Sequence, residues 1–252
     1  MKRRYVRVIM LAFSAVVIYS CQSASQSKAK DQTIVDNSPK IRGAMKNVMR
    51  KGELFATINI DTIVKTENIY GLGPVEYLTG EIMLFDGKGY KAEVVNDTAM
   101  KVTETFALKA PFFGYANIGQ WTKVVLPDSI VTIAQLETYL DQTTKDHSRP
   151  YFFKIAATAD TAVVHIVNLP PGIRVSSPEE AHQGQRNYAI NGKKVDILGF
   201  FSTEHKAILT HHDTYLHMHL ITEDRTKMGH LEKLNIKKGM AELYLPAEQK
   251  AK

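Results

Sequence analysis

The chain has 252 residues, of which 44% are apolar and 23% charged, enough to bury a large core and ordinary for a globular protein. Its formal charge of +6 is gathered at the start: the first twenty residues hold Lys2, Arg3, Arg4 and Arg7 and no acid, which leaves 28 basic residues facing 26 acidic ones in the remainder. That near-neutral remainder has no Arg-rich stripe with interleaved aromatics, which excludes a nucleic-acid-binding surface.

In chain order, the first element is a leader. Lys2 to Arg7 form a basic stretch and Val8 to Ile18 an apolar run of about 11 residues, too short for a comfortable membrane span but suited to a signal-peptide core. The run ends in Ile18-Tyr19-Ser20-Cys21, whose cysteine is the only one in the chain. A small residue before a lone cysteine resembles a bacterial lipobox, although Tyr19 is bulky for its place. This reading makes Cys21 the lipidated residue and 1–21 the signal peptide of an exported protein. The protein would be anchored to the cell envelope, on the periplasmic side or at the cell surface, and would touch the membrane through lipid alone. A plain secretory signal or an uncleaved anchor is the alternative. Residues 22–38 are polar and aperiodic and read as a flexible tether, leaving 39–252 as the folded domain.

Within that domain, Ile41, Ala44, Met45, Val48 and Met49 recur at helical spacing, and Gly52 ends the helix. Strands are predicted at 54–63, 75–86, 89–96, 100–107, 121–126, 151–157, 161–168, 194–201, 214–222, 230–236 and 240–245. Asp86-Gly87-Lys88-Gly89 and Asn191-Gly192 supply turns. A second helix carries Ile133, Leu136 and Leu140 on one face, with Asp128 or Ser129 as its cap. The class is α+β: predominantly antiparallel or mixed β-sheet with a few helices, in two packed subdomains meeting near residues 127–150.

Chemistry concentrates in Thr210 to His230. His217 and His219 lie two apart on a predicted strand and therefore share a face. The polar stretch from Thr222 to Gly229 can return the chain and deliver His230 beside them. Three neutral imidazoles converging in this way suit a zinc ion with one coordination position left open, although iron, nickel and copper also accept such ligands. His211 and His212 are adjacent and point apart, so at most one joins the site. Tyr70-Gly71-Leu72-Gly73 lacks the third glycine and the following helix of a dinucleotide fingerprint. Glu81 opens an apolar strand; it either has a metal or arginine partner or sits exposed at the strand's start. His182 reads as a surface residue near a loop, and Glu76 and Glu223 as solvated turn charges.

Taken together, these segments resemble the acetolactate decarboxylases, zinc enzymes that convert acetolactate to acetoin and carbon dioxide. The residues that carry the resemblance are Leu78-Thr79-Gly80-Glu81 with Asp86-Gly87, Gly199-Phe200-Phe201, His217-Met218-His219, and Met228-Gly229-His230 eleven residues beyond His219. They run from about Leu54 to Pro246. The resemblance implies a divalent metal, zinc, held by His217, His219 and His230. It makes Glu81 a site carboxylate that ligates the metal or delivers a proton to carbon, and a small 2-hydroxy-3-oxo acid the substrate. Two parts depart from the pattern. The family's substrate-binding arginine is missing from Val163-Val164-His165-Ile166-Val167-Asn168, so Arg174 is expected to grip the carboxylate, with His165 as the alternative. Of a C-terminal family glutamate only Glu248 is available. These departures keep two other readings open: a same-fold metalloenzyme for a different small oxo acid, and a non-catalytic metal-binding surface lipoprotein. Oligomeric state is open, a homodimer included.

Overall fold

Short apolar runs separated by turn residues recur through the domain, and the computed structural model accordingly folds it mainly as antiparallel sheet. It describes residues 37–63 and 67–247, which belong to one unit, Ile34–Lys252. Cys21, the signal peptide, nearly all of the tether and Glu248 lie outside the described residues. In order, the elements are β1 (Lys40–Arg42), α1 (Met45–Lys51), β2 (Ile58–Asn59), β3 (Ile69–Pro74), β4 (Glu81–Phe85), β5 (Lys88–Val94), β6 (Met100–Glu104), β7 (Lys109–Ala110) and β8 (Phe113–Asn117). They continue with β9 (Trp121–Val124), α2 (Ile133–Thr143), β10 (Tyr151–Ile166), α3 (Pro178–Ala181), β11 (Arg186–Phe201), β12 (Leu216–Thr222) and β13 (Met228–Pro246).

Two sheets organise the unit. The first has the order β1-β8-β3-β4-β5-β6 and is antiparallel throughout. In the second, β10 pairs with both β11 and β13 while β12 also pairs with both, so the four strands close into a ring and β9 adds to the far end of β13. Closure removes the free edges that four long strands would otherwise expose. The junction between the sheets falls at residues 117–121, earlier than the 127–150 expected from sequence, because β9 already belongs to the second sheet.

Strand parity places the key carboxylate. On β4, Ile82 and Leu84 enter a small core with Ile60, Ile69 and Phe113, while Met83 and Phe85 enter the main core shared with the second sheet. Glu81 has the parity of Met83 and Phe85, so its side chain is carried to the side where the ring lies.

Several expectations change. The first helix starts at Met45, not near Ile41, because Lys40–Arg42 pair with β8. Gly43 then turns at φ +65, where a Cβ would stand 2.1 Å from the Pro111 carbonyl oxygen. Gly52 ends α1 in the left-handed conformation, as expected. The cap of α2 is Thr132 rather than Asp128 or Ser129: it forms a capping box with Gln135. The strand predicted at 54–63 shrinks to β2 and a single 3-10 turn, and 75–80 is a turn rather than the start of a strand. Unforeseen strands form at β3 and β8. Gly71 and Gly73 are needed there for close packing, since a Cβ on either would stand within 3 Å of the Phe113 ring.

Candidate metal centre

Three neighbouring strands of the ring bring the histidines together by register. His219 on β12 stands opposite His230 on β13, and His165 on β10 stands opposite the same His230. The return from β12 to β13 is held by Asp224, which accepts hydrogen bonds from the hydroxyls of Thr222 and Thr226 at 2.7 Å each. Gly229 makes room for the neighbouring strand: a Cβ there would stand 2.4 Å from the His165 carbonyl oxygen. Glycine before His230 is therefore a steric requirement of the site.

His217, His219 and His230 are buried, and each offers a ring nitrogen within 4.8 Å of the others'. Nδ1 of His217 lies 2.7 Å from the Leu209 carbonyl oxygen; a carbonyl can only accept, so the proton sits on Nδ1 and Nε2 keeps its lone pair. Both ring nitrogens of His219 are buried without a hydrogen bond of ordinary geometry. Burial is the main reason the His217 and His230 imidazoles titrate well below their usual range, with the neighbouring histidines adding to it. Burial likewise pushes His219 down to about 3. All three are therefore neutral at physiological pH, the form that donates a lone pair to a metal. Orphaned buried nitrogens are costly unless something binds them. The described residues thus fit a divalent metal with nitrogen-tolerant chemistry.

Glu81 lies beside this cluster. It is 3% exposed; Oε1 accepts the Val167 N–H at 3.3 Å, and Oε2 is 3.5 Å from Nε2 of His219. Burial raises its carboxyl well above the usual carboxylate range, against the opposing Val167 N–H. The turn before it is strained, with Tyr77 and Leu78 at φ 59 and 52, in the left-handed region that non-glycine residues rarely occupy. The Leu169 N–H donates to the Leu78 carbonyl, tying this turn to the segment after β10.

The cavity over the centre has a polar wall of Glu81, His165, His182, His211, His217 and His230. Its apolar wall is Met45, Met49, Pro74, Leu78, Phe112 and Val167. Arg174 is exposed and is not among the lining residues, so the structure does not bring it to the site. His165, the alternative, does line the cavity. His182, read from sequence as a surface residue, also lines it, held by its Nδ1 at 2.6 Å from the Pro178 carbonyl oxygen. Of the adjacent pair, His211 enters and His212 stays exposed. Glu223 is exposed beside Lys194, and Glu76 is half-buried. Glu232 was missed: it reaches Nδ1 of His165 at 2.5 Å. Its signal was its place two residues beyond His230, where strand parity gives it the same face.

Fold and centre together define a β-rich enzyme built around a buried imidazole cluster able to hold a metal. Residues 26–249 match the family model described as alpha-acetolactate decarboxylase. The chain belongs to the alpha-acetolactate decarboxylase family, a family of carboxy-lyases. It is 26% identical over 195 residues to alpha-acetolactate decarboxylase of Lactococcus lactis subsp. lactis, covering 74% of this chain and 75% of that one. Among solved structures it is similar to acetolactate decarboxylase from Bacillus subtilis subspecies spizizenii, with a TM-score of 0.68 at 18% identity over 84% of this chain and 86% of that one. A Staphylococcus aureus protein described as similar to alpha-acetolactate decarboxylase gives 0.65 at 17% identity over 82% and 84%. At these identities the structural likeness concerns the fold.

Proposed function

We propose that this protein decarboxylates 2-acetolactate to acetoin and carbon dioxide in a metal-dependent reaction, with zinc held by His217, His219 and His230. The observation that carries this reading is the pair of orphaned His219 nitrogens among three neutral imidazoles, directly beside a buried carboxyl that favours its proton. Family membership supports the substrate and the reaction.

Decarboxylation of a 3-oxo acid leaves an electron pair on the carbon and on the ketone oxygen conjugated to it. When bound, the metal supplies a Lewis acid that stabilises negative charge on that oxygen. The protein does the rest. The Leu209 carbonyl orients His217, and the Thr222–Lys227 turn sets His219 against His230. Glu81, whose burial biases its carboxyl toward the protonated form, is the acid that delivers a proton to the carbon losing its carboxylate. Met45, Met49, Leu78 and Phe112 exclude water and receive the substrate's methyl groups.

The basic stretch, the short apolar run and Ser20-Cys21 support an exported enzyme anchored to the cell envelope by lipid at Cys21. The direct test is acetoin formation from acetolactate by the chain lacking residues 1–21, alone and after chelation and zinc restoration. Acetoin that chelation abolishes and zinc restores is the expected result. No acetoin from a chain holding one metal per molecule would remove the reading.

A further inference from the structure

The arrangement that builds the three-histidine centre recurs one strand over. In the first group, His217 and His219 lie two apart on β12, and His230 stands opposite His219 on β13. In the second, His230 and Glu232 lie two apart on β13, and His165 stands opposite His230 on β10. Val163 faces Lys233 and Val164 faces Leu231, so Glu232 is the unpaired residue of a bulge. A bulge re-aims a side chain, and the Glu232 carboxylate reaches Nδ1 of His165 at 2.5 Å. His165, His230 and Glu232 each offer a ligand atom within 4.8 Å of the others', the same span as in the first group.

A tetrahedral zinc holds its ligands about 2.1 Å away and so about 3.4 Å from one another, which side-chain shifts of about 1 Å would reach. Two nitrogens and a carboxylate oxygen suit zinc and its transition-metal neighbours, whereas calcium and magnesium favour oxygen throughout. An imidazole has two ring nitrogens, so His230 can face one ion with each, its ring proton passing to solvent when both are bound. The two groups differ in access and in readiness. All three histidines of the first are buried, while the Glu232 side chain of the second is 40% exposed and opens a route from solvent. His165 stacks on His230 at 4.5 Å between centroids and 18° between planes. To hold an ion it must turn out of that stack and part from Glu232, so the second group binds more weakly and fills after the first.

We propose that His165, His230 and Glu232 form a second, weaker site for a divalent transition-metal ion, and that filling it closes the cavity to substrate. His165 and His230 both line the cavity, so an ion held between them and Glu232 takes up space over the first centre. The site stands on these residues alone; the closure rests on the decarboxylase reading. Excess zinc is then an inhibitor of the enzyme that one zinc activates.

The test counts zinc by equilibrium dialysis into the metal-free chain lacking residues 1–21 and follows acetoin formation across the same zinc range. The parent should bind two zinc ions per chain, with a rate that rises to the first equivalent and falls as the second loads. Glu232→Ala, at a half-exposed position, should weaken the second zinc by about 100-fold or more, at least the cost of losing a group that merely orients a ligand. It should keep the first zinc, and its rate should stay level where the parent's falls. His165→Leu should lose the second zinc in the same way. A parent that binds one zinc only overturns the site, as does a second zinc held equally by the parent and both folded variants, which is adventitious binding at exposed histidines. A second zinc that loads with no fall in rate overturns the closure. Two zinc ions in the parent and one in each variant, with no acetoin at any zinc level, would leave the site standing and overturn the decarboxylase reading instead.

Discussion

Strand β10 carries two polar clusters, one near each end, and they treat buried polarity in opposite ways. Near its start, the Lys154 ammonium lies 5.1 to 5.7 Å from the ring centres of Trp121, Tyr70, Tyr244 and Phe85, with Asp86 at 3.4 Å. Trp121 donates to the Tyr70 hydroxyl at 2.9 Å, and Tyr70 donates to Asp86. The charge has a counter-charge, the hydroxyl has a donor and an acceptor, and the cluster joins residues from both sheets. Near its end, His165 abuts a group of imidazoles in which neither ring nitrogen of His219 has a hydrogen bond of ordinary geometry. A satisfied cluster stabilises a fold, whereas an unsatisfied one costs stability until something binds. The difference separates a structural joint from a binding site without appeal to residue type, since both are polar.

The sharpest way to break this contrast is to remove a group from the unsatisfied end. His219→Ala should abolish stoichiometric metal binding and lower acetoin formation by about a thousandfold or more, the loss of several kcal/mol of charge stabilisation. Metal content by mass spectrometry and turnover measured on one preparation check it. Glu81→Gln is isosteric with the protonated acid and should keep the metal while lowering kcat by about a hundred- to a thousandfold. The pH dependence of the metal-free chain's stability should follow from the same residues. His165, His217, His219 and His230 have depressed values in the fold, so the unfolded chain gains protons first and stability falls as pH drops below about 6.5. Each histidine that stays neutral in the fold steepens the loss by about 1.4 kcal/mol per pH unit. Glu81 acts at the other side: its raised value stabilises the fold at low pH, and that contribution fades as pH rises through the folded value. Denaturant titrations at several pH values should therefore give a stability maximum that metal binding broadens toward acid. At the satisfied end the effects should be small and purely structural. Lys154→Met keeps the stem's packing and should cost about 1 kcal/mol in chemical denaturation while leaving turnover unchanged. Equal loss of turnover in Lys154→Met and His219→Ala would erase the contrast.

The sequence made one of these regions legible and hid the other. His217 and His219 two apart on an apolar strand, and His230 after a glycine-bearing turn, follow from strand periodicity alone, and the register of β12 and β13 brings them together. Gly52 and the apolar stripe of α2 were legible for the same reason: local rules and tertiary structure agree there. The cage around Lys154 was invisible because its aromatics come from β3, β4, β9 and β13, and no local pattern joins them. β3 and β8 were hidden because Gly71, Gly73 and Gly114 stand where strand-forming side chains are expected. Those glycines answer to the Phe113 ring and to Leu209, contacts that exist only after folding. Arg174 was chosen for its charge near a Pro-rich loop, yet that loop turns it to solvent. The polar groups that reach the cavity from outside the His217–His230 segment are Glu81, His165, His182 and His211.

The central claim is that the three imidazoles hold one metal and that the reaction depends on it. Zinc titrated into the metal-free chain lacking residues 1–21, with acetoin formation followed at each addition, tests this most directly. The rate should rise in proportion to added zinc and stop rising at one equivalent. Acetoin formation by the metal-free chain, or a rate that stays at background after one equivalent has bound, would contradict the account.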